Sequence, residues 1–234
     1  MTASAPLFSL TLTHKAVIAR DVIEMRFAKP PNLVFRAGQF LQFHIPTETG
    51  VLLRSYSIAS PSAESYIDLC VKLLPEGRAS QFFAKLQHGD VVKAQGPEGH
   101  FVCKEEHAPH KIFIATGSGL APMAAMIPDE LTRRVPGGSV QLIFGVRSEA
   151  DIFWAERWEK LAQTDSLFTY SITLSRPDQP TGWQGLVGRV TEHVPHHHLE
   201  AEYYLCGSLE MVKDVRKILV DKGVPTKQIH FEIF

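Results

Sequence analysis

Three short stretches carry residue types suited to a phosphorylated ligand with a flat ring. Arg54-Ser55-Tyr56-Ser57 reads as extended chain, so alternation turns Arg54 and Tyr56 to one side. A guanidinium suits phosphate oxygens and a phenol ring offers a stacking face. The plainer reading of the same residues is a surface strand with a cation–π pair. Gly77-Arg78-Ala79-Ser80 opens a helical pattern. A glycine turn at a helix start leaves free N–H groups at the positive end of the dipole, which favours a phosphate. Its plainer reading is an ordinary capped helix, with Ser80 or a neighbour as the cap. Arg54 and this helix start together supply the two sources of positive potential that a pyrophosphate needs.

Gly117-Ser118-Gly119-Leu120-Ala121-Pro122 follows a strand pattern at Thr116 and opens a second helix. It departs from the dinucleotide fingerprint because Pro122 stands where the third glycine would be. Cys206 ends another strand just before a turn into a helix, where ligands of open parallel sheets sit. Cysteine is as often a small buried apolar residue. The chain closes on Glu232-Ile233-Phe234, where alternation sends Glu232 and Phe234 to one face while Ile229, Phe231 and Ile233 dock the strand.

These groups must be positioned by two kinds of structure. Up to residue 104 the pattern is of short strands with turns, including Phe8–Leu12, Val22–Phe27, Phe40–Ile45, Tyr66–Leu73 and Val91–Ala94. That spacing predicts a closed antiparallel barrel. One helix interrupts it from about Ala79 to Gln87, with Phe82 and Leu86 on one face and Gly89 past its end. After a polar hinge at Lys104-Glu105-Glu106-His107, strands and helices alternate over residues 105–234, which predicts a parallel sheet with helices on both sides. Expected there are strands at Ile112–Thr116, Val140–Gly145, Phe168–Leu174 and Tyr203–Cys206. Expected helices run to about Arg134, from Asp151 to Gln163 with Trp154, Trp158 and Leu161 on one face, and from a Ser208 cap through Val212, Val215 and Leu219. Pro128 should kink the first of these or restart it.

Composition narrows the function. A chain of 234 residues suits two domains, and a net charge of −1 gives no electrostatic case for nucleic acid or an anionic membrane. No apolar run is long enough to span a bilayer, and the N-terminus does not resemble a secretory signal. Cys70, Cys103 and Cys206 are scattered and odd in number, which points to a reducing cytoplasm and cannot hold a four-thiolate iron–sulfur cluster. His196-His197-His198, with His193 nearby, lacks metal-ligand spacing and reads as a solvated loop, so no metal site is expected.

In this order and spacing the motifs resemble the ferredoxin–NADP⁺ reductase superfamily. The resemblance rests on the stretches above together with Gly96-Pro97-Glu98-Gly99-His100-Phe101, Phe144-Gly145-Val146-Arg147, Gly185-Leu186-Val187-Gly188, Cys206-Gly207-Ser208 and Ile229-His230-Phe231-Glu232. It implies an FAD-binding barrel over residues 1–104 and an NAD(P)H-binding α/β domain over 105–234. It further implies that Arg54, with Gly77, Arg78, Ala79 and Ser80, holds the FAD pyrophosphate and that Tyr56 stacks on the flavin, with Ser57 near its reactive edge. Val71 and Lys72 would offer backbone groups to the flavin. Thr116, Gly117 and Gly119 would line the nucleotide cleft, Arg147 would join them, and Cys206 would contact the nicotinamide. Glu232 would complete a polar trio with Ser57 and Cys206, and Phe234 would cover the flavin and move aside for the nicotinamide.

The activity so implied is hydride transfer from NADH or NADPH to FAD, then electron delivery to a separate acceptor such as a ferredoxin, a flavodoxin or an oxygenase component. Ser175-Arg176 after the third strand could read the 2′-phosphate of NADPH, while Ser175-Arg176-Pro177-Asp178 with Trp183-Gln184-Gly185 resembles NADH-linked oxygenase reductases, which tips the expectation towards NADH with NADPH tolerated. The length leaves no room for a fused ferredoxin domain. Two other readings stay open: a reductase of free flavin, and a non-catalytic electron-relay subunit of a larger complex.

Overall fold

The computed structural model describes residues 6–104, 108–134, 136–177, 182–195 and 200–234. The expected hinge at Glu105–His107, the His196–His198 loop and Asp178 lie outside the described residues. The chain divides into two compact units, one of residues 1–103 with 124–129 and the other of 104–123 with 130–234.

Unit 1 is an antiparallel barrel. Its strands are β1 (Leu7–Ala19), β2 (Val22–Ala28), β3 (Phe40–Thr47), β4 (Gly50–Ser57) and β5 (Tyr66–Lys72); helix α1 (Arg78–Lys85) then precedes β6 (Val91–Glu98). The sheet order is β4-β3-β6-β1-β2-β5. An isolated bridge between Ile58 and Leu69, with Ala59 N–H donating to Asp68 O at 2.8 Å, joins the two end strands. Alternating residues such as Leu10, Leu12, Leu41, Phe43, Leu69 and Val71 fill the interior.

Beyond that bridge β4 and β5 are not paired, and α1 contributes Ala79 and Phe83 to the core, joined by Leu86 just past its end. The helix is shorter than its pattern predicts. It stops at Lys85 because Lys15 of β1 donates its ammonium to Ala84 O at 2.8 Å and also to Leu86 O, taking up the last carbonyls. Phe83, not Phe82, is the fully buried ring, and Gly89 serves the turn into β6, donating its N–H to Leu12 O.

Unit 2 holds a parallel sheet of order β10-β9-β8-β7-β11-β12. Its strands are β7 (His110–Thr116), β8 (Ser139–Val146), β9 (Phe168–Leu174), β10 (Leu186–Val187), β11 (Glu202–Gly207) and β12 (Ile229–Ile233). The helices of this half of the chain are α2 (Leu120–Arg133), α3 (Ala155–Thr164) and α4 (Leu209–Asp221). Register places Phe113, Leu142, Tyr170 and Tyr204 on one face, where Trp158 of α3 packs on Phe168. Ile112, Ile143 and Tyr203 lie on the other face, against Val212, Val215 and Leu219 of α4.

Three local expectations change. Helix α2 runs unbroken past Pro128, with no restart; a proline costs one backbone bond, and the good helix formers on either side carry the turn through. The helix expected from Asp151 begins only at Ala155. Ser148 and Asp151 first close a capping box on a single 3₁₀ turn, and Trp154 then takes the left-handed conformation (φ 58°), which keeps it off the helical face of Trp158. In β12 only Ile229 is buried; Phe231 and Ile233 are 45% and 43% exposed, because β12 is an edge strand and the core beneath α4 reaches only its first residue.

Candidate functional site

In unit 1 the mouth between β4 and β5 gathers the expected residues. Arg54 and Tyr56 share a face of β4, opposite Phe43 and Leu41 of β3. The Tyr56 ring meets Phe43 edge-on at 5.8 Å and Phe83 of α1 at 5.0 Å, which ties β4 to α1. Burial pushes the Tyr56 phenol up to about 12, partly offset by Arg54, so it remains a neutral ring. The exposed Arg54 guanidinium is steadied by a bond to Leu53 O at 2.8 Å. Ser57 is buried at the end of β4.

Helix α1 starts at Gly77 with no side-chain cap. Ser80 is not the cap; its Oγ accepts the N–H of Leu74 at 2.8 Å and folds the loop back onto the helix start. A Cβ on Gly77 would lie 2.8 Å from that Oγ, so a side chain there would push the hydroxyl off Leu74 N–H. The first-turn N–H groups, including those of Arg78 and Ala79, are thus left for an anion.

On β5 the two expected backbone donors separate. Leu73 N–H donates to Asp21 O at 2.7 Å, so alternation turns the N–H and C=O of Val71 towards Ile23 of β2 and those of Lys72 towards the open edge. Lys72 can offer main-chain groups to a ligand, whereas those of Val71 are engaged in the sheet. The Lys72 ammonium is held by Arg20 O at 2.9 Å.

In unit 2 the chain leaves β7 for β8 on one side, while β11 lies on the other. Such a switch point opens a crevice at the carboxyl ends of the strands. Gly117 to Gly119 form a 3₁₀ turn into α2, with no side chain capping it. The neighbouring α4 is capped, because Ser208 Oγ accepts Met211 N–H at 3.3 Å. The Leu120 N–H that opens α2 already donates to Gly117 O and Ser118 O, so N–H groups open to an anion belong to the Gly117–Gly119 turn before it.

Glycines hold the crevice open. Gly117 has φ 53° and empty space where a Cβ would be. A Cβ on Gly119 would lie 2.3 Å from Cys206 O, and one on Gly207 would lie 2.2 Å from Thr116 Oγ1. Gly207, which the sequence reading passed over as a site residue, thus shapes the crevice floor; its position directly after a strand was the available signal.

Cys206 is fully buried and pairs in register with Ala115 on one side and Glu232 on the other. Burial first, and the Glu232 carboxylate second, push its thiol up, so it stays protonated at neutral pH and is not a thiolate nucleophile. Phe234 follows β12, with its N–H on Gly207 O at 3.0 Å and its ring half exposed. Arg147 and Arg176 are exposed past the ends of β8 and β9, linked by Arg176 N–H to Arg147 O at 2.7 Å. Neither makes an ion pair among the described residues. Ser175 Oγ bonds Val146 O at 3.3 Å. His193, of the metal reading, bonds Val187 O at 2.9 Å.

The comparisons with known proteins divide along the same lines. Residues 9–103 match an oxidoreductase FAD-binding domain and residues 113–217 an oxidoreductase NAD-binding domain. Ferredoxin–NADP reductase B of Sorangium cellulosum is 33% identical over 238 residues, covering 96% of both chains. NADH–cytochrome b5 reductase 1 of Aspergillus terreus is 31% identical over 97% of this chain and 82% of its own. A cytochrome P450 reductase from Amycolatopsis superposes with a TM-score of 0.87 at 29% identity, over 99% of this chain and 71% of that one. No helix among the described residues is long and apolar enough to cross a membrane. The uncapped helix starts, the forced glycines and the exposed cations fit FAD and a nicotinamide nucleotide, and the chain belongs to the ferredoxin–NADP reductase superfamily of FAD-dependent NAD(P)H oxidoreductases.

Proposed function

We propose that this reductase serves a separate redox protein, with FAD as a tightly held cofactor and not as a substrate. Bound FAD supplies the chemistry, taking hydride from a reduced nicotinamide and releasing electrons one at a time. The protein's own residues bind, orient and exclude water. In this reading Arg54 and the uncapped start of α1 grip the pyrophosphate, Tyr56 presents a neutral ring to the flavin, Lys72 offers main-chain groups and Ser57 a hydroxyl. The Gly117–Gly119 turn takes the pyrophosphate of the nicotinamide nucleotide. Cys206 and Glu232 meet the nicotinamide end, where Phe234 competes for the same place.

The observation that carries tight FAD binding is the pairing of an uncapped helix start with an exposed guanidinium in one unit. A free-flavin reductase has no need of a double grip on a diphosphate. The relatives named for ferredoxin and for a cytochrome P450 system support a protein acceptor of the one-electron kind. Arg147 and Arg176, exposed and without ion pairs among the described residues, favour acceptance of a 2′-phosphate, so NADPH is used alongside NADH.

The test is to desalt the FAD-loaded protein, mix it without oxygen with NADH or NADPH, and follow loss of the flavin absorbance. A panel of ferredoxin, flavodoxin, oxygenase component and free flavin then identifies the acceptor. Retained yellow colour, bleaching by nicotinamide and fast reduction of a protein carrier are expected. A colourless protein that turns over added flavin replaces this reading with the free-flavin reductase.

A further inference from the structure

The open edge of the unit 2 sheet is built to pair with itself. Strand β12 ends the sheet order, and nothing pairs with its outer side among the described residues. Phe234 N–H bonds Gly207 O on β11, so alternation turns the main-chain groups of Glu232 and His230 inward and those of Ile229, Phe231 and Ile233 outward. Exposed edges are usually guarded by lysine, proline or a bulge. The run Ile229-His230-Phe231-Glu232-Ile233 contains neither lysine nor proline, and its register with β11 has no shift. It also leaves Phe231 and Ile233 almost half exposed.

The alternation of apolar and polar residues reads alike in both directions, with His230 and Glu232 exchanging places. Laid antiparallel on a second copy about Phe231, the strand sets Phe231 against Phe231, Ile229 against Ile233, and His230 against Glu232. The three apolar residues share one face and the two polar ones the other. The outward-turned residues then form the hydrogen-bonded pairs. The His230–Glu232 pairs fall at the non-bonded positions, where Cα atoms approach to about 4.5 Å and side chains interact most closely. Sliding the register by two residues in one direction puts Glu232 against Glu232, and in the other His230 against His230. Both slips lose the His230–Glu232 pair, and one sets two carboxylates against each other, so a single register is selected.

His230 already has contacts on β11. Its ring stacks on Tyr204 at 4.9 Å and its Nε2 bonds the Glu202 carboxylate, which leaves Nδ1 for a partner. Arg216 of α4, exposed and 5.7 Å from the Phe231 ring, must swing aside.

We propose that a second copy of this chain docks along β12 through this two-fold, antiparallel strand pairing. Five residues a side bury less than a standard interface, so the association is weak and concentration-dependent.

Sedimentation equilibrium of the FAD-loaded full chain, from about 1 µM to 1 mM, should show the mass rising towards twice the monomer. Phe231→Lys should remain monomeric throughout while keeping its FAD absorbance. Under mild oxidation Phe231→Cys should cross-link to its own copy, since the facing Cα atoms stand about 5.5 Å apart. Ile233→Cys, which faces Ile229, should cross-link at least about tenfold less. A monomer at every concentration, a dimer that survives Phe231→Lys, or equal cross-linking of the two cysteines overturns the proposal.

Discussion

Replacing Gly119 with alanine separates a packing requirement from a conformational one. Gly119 has φ −60° and ψ −11°, an ordinary helical conformation that alanine adopts readily. Were space free, Gly119→Ala would stabilise the protein by about 0.4–1 kcal/mol through the unfolded chain. Space is not free: the added Cβ would lie 2.3 Å from Cys206 O, 2.5 Å from Cys206 C and 2.7 Å from Gly207 N. These are main-chain atoms of β11, so relief requires the Gly117–Gly119 turn to draw back from β11 by roughly 1 Å, an overpacking cost of about 1–3 kcal/mol. The cost exceeds the gain, and the movement falls on the crevice that is proposed to take the nicotinamide nucleotide. Gly117→Ala is the contrast. It meets nothing within 4 Å but forces alanine to φ 53°, at a cost of about 1–2 kcal/mol without pushing the turn off β11. Steady-state kinetics with the FAD content measured in each sample is the assay. Gly119→Ala should raise KM for NADH and NADPH by at least about tenfold, equivalent to 1.4 kcal/mol, with FAD retained. Gly117→Ala should raise it less. If Gly119→Ala is as active as the parent, or if Gly117→Ala is the more damaging, the close approach of the turn to β11 does not govern nucleotide binding.

Arg54→Ala should weaken FAD binding about 10- to 100-fold, the size expected for a lost charged hydrogen bond, as read by FAD released on dilution. Arg176→Ala should impair use of NADPH far more than NADH in parallel titrations; equal losses remove Arg176 as the 2′-phosphate reader. Phe234→Ala should tighten binding of nicotinamide nucleotide to the oxidised enzyme in spectral titration, because a competing ring is gone, and an unchanged affinity counts against that role. Tyr56 holds its proton up to about 12 in the folded state, against about 10 when unfolded, so it makes stability fall as pH rises through that window. Tyr56→Phe should therefore flatten the alkaline arm of the unfolding curve between pH 10 and 12, measured by circular dichroism.

Elements whose residues alternate or repeat cleanly were legible in the sequence. Phe168–Leu174 and the Ser208-capped α4 lie where the pattern put them, because each is decided by neighbours within a few residues. The misplaced ends were decided by distant partners. Lys15 terminates α1 from 69 residues away, and no local pattern carries that bond. Trp154 looked like part of a helical stripe, yet the Ser148–Asp151 box and the contact of Phe153 with Phe144 set the chain turning before the helix begins. The motif residues of the candidate site were legible as types, but not their division of labour. Whether Ser80 caps α1 or ties Leu74, and whether Val71 or Lys72 has main-chain groups to spare, depends on hydrogen-bond direction and register, which composition does not encode.

Both proposed nucleotide-binding features would rely on main chain more than on side chains, and this sets which residues should resist replacement. At α1 and at the turn before α2 the candidate anion contacts are N–H groups that any residue except proline provides, so the side chains around them matter by staying out of the way. Gly77, Gly119 and Gly207 each stand where a single added carbon would strike a neighbour at 2.2–2.8 Å, whereas Gly50 and Gly137 face open space. Hence tolerance to substitution should follow the clearance at Cβ together with the backbone conformation, since Gly50 and Gly137, at φ 134° and 79°, are strained by any side chain despite the open space. The exceptions are Arg54, Arg147 and Arg176, whose exposed guanidinium groups are proposed to reach phosphate oxygens that main-chain N–H groups would not cover. Such a surface would choose between NADH and NADPH mainly through Arg147 and Arg176, so that choice should be movable by single substitutions at those two positions.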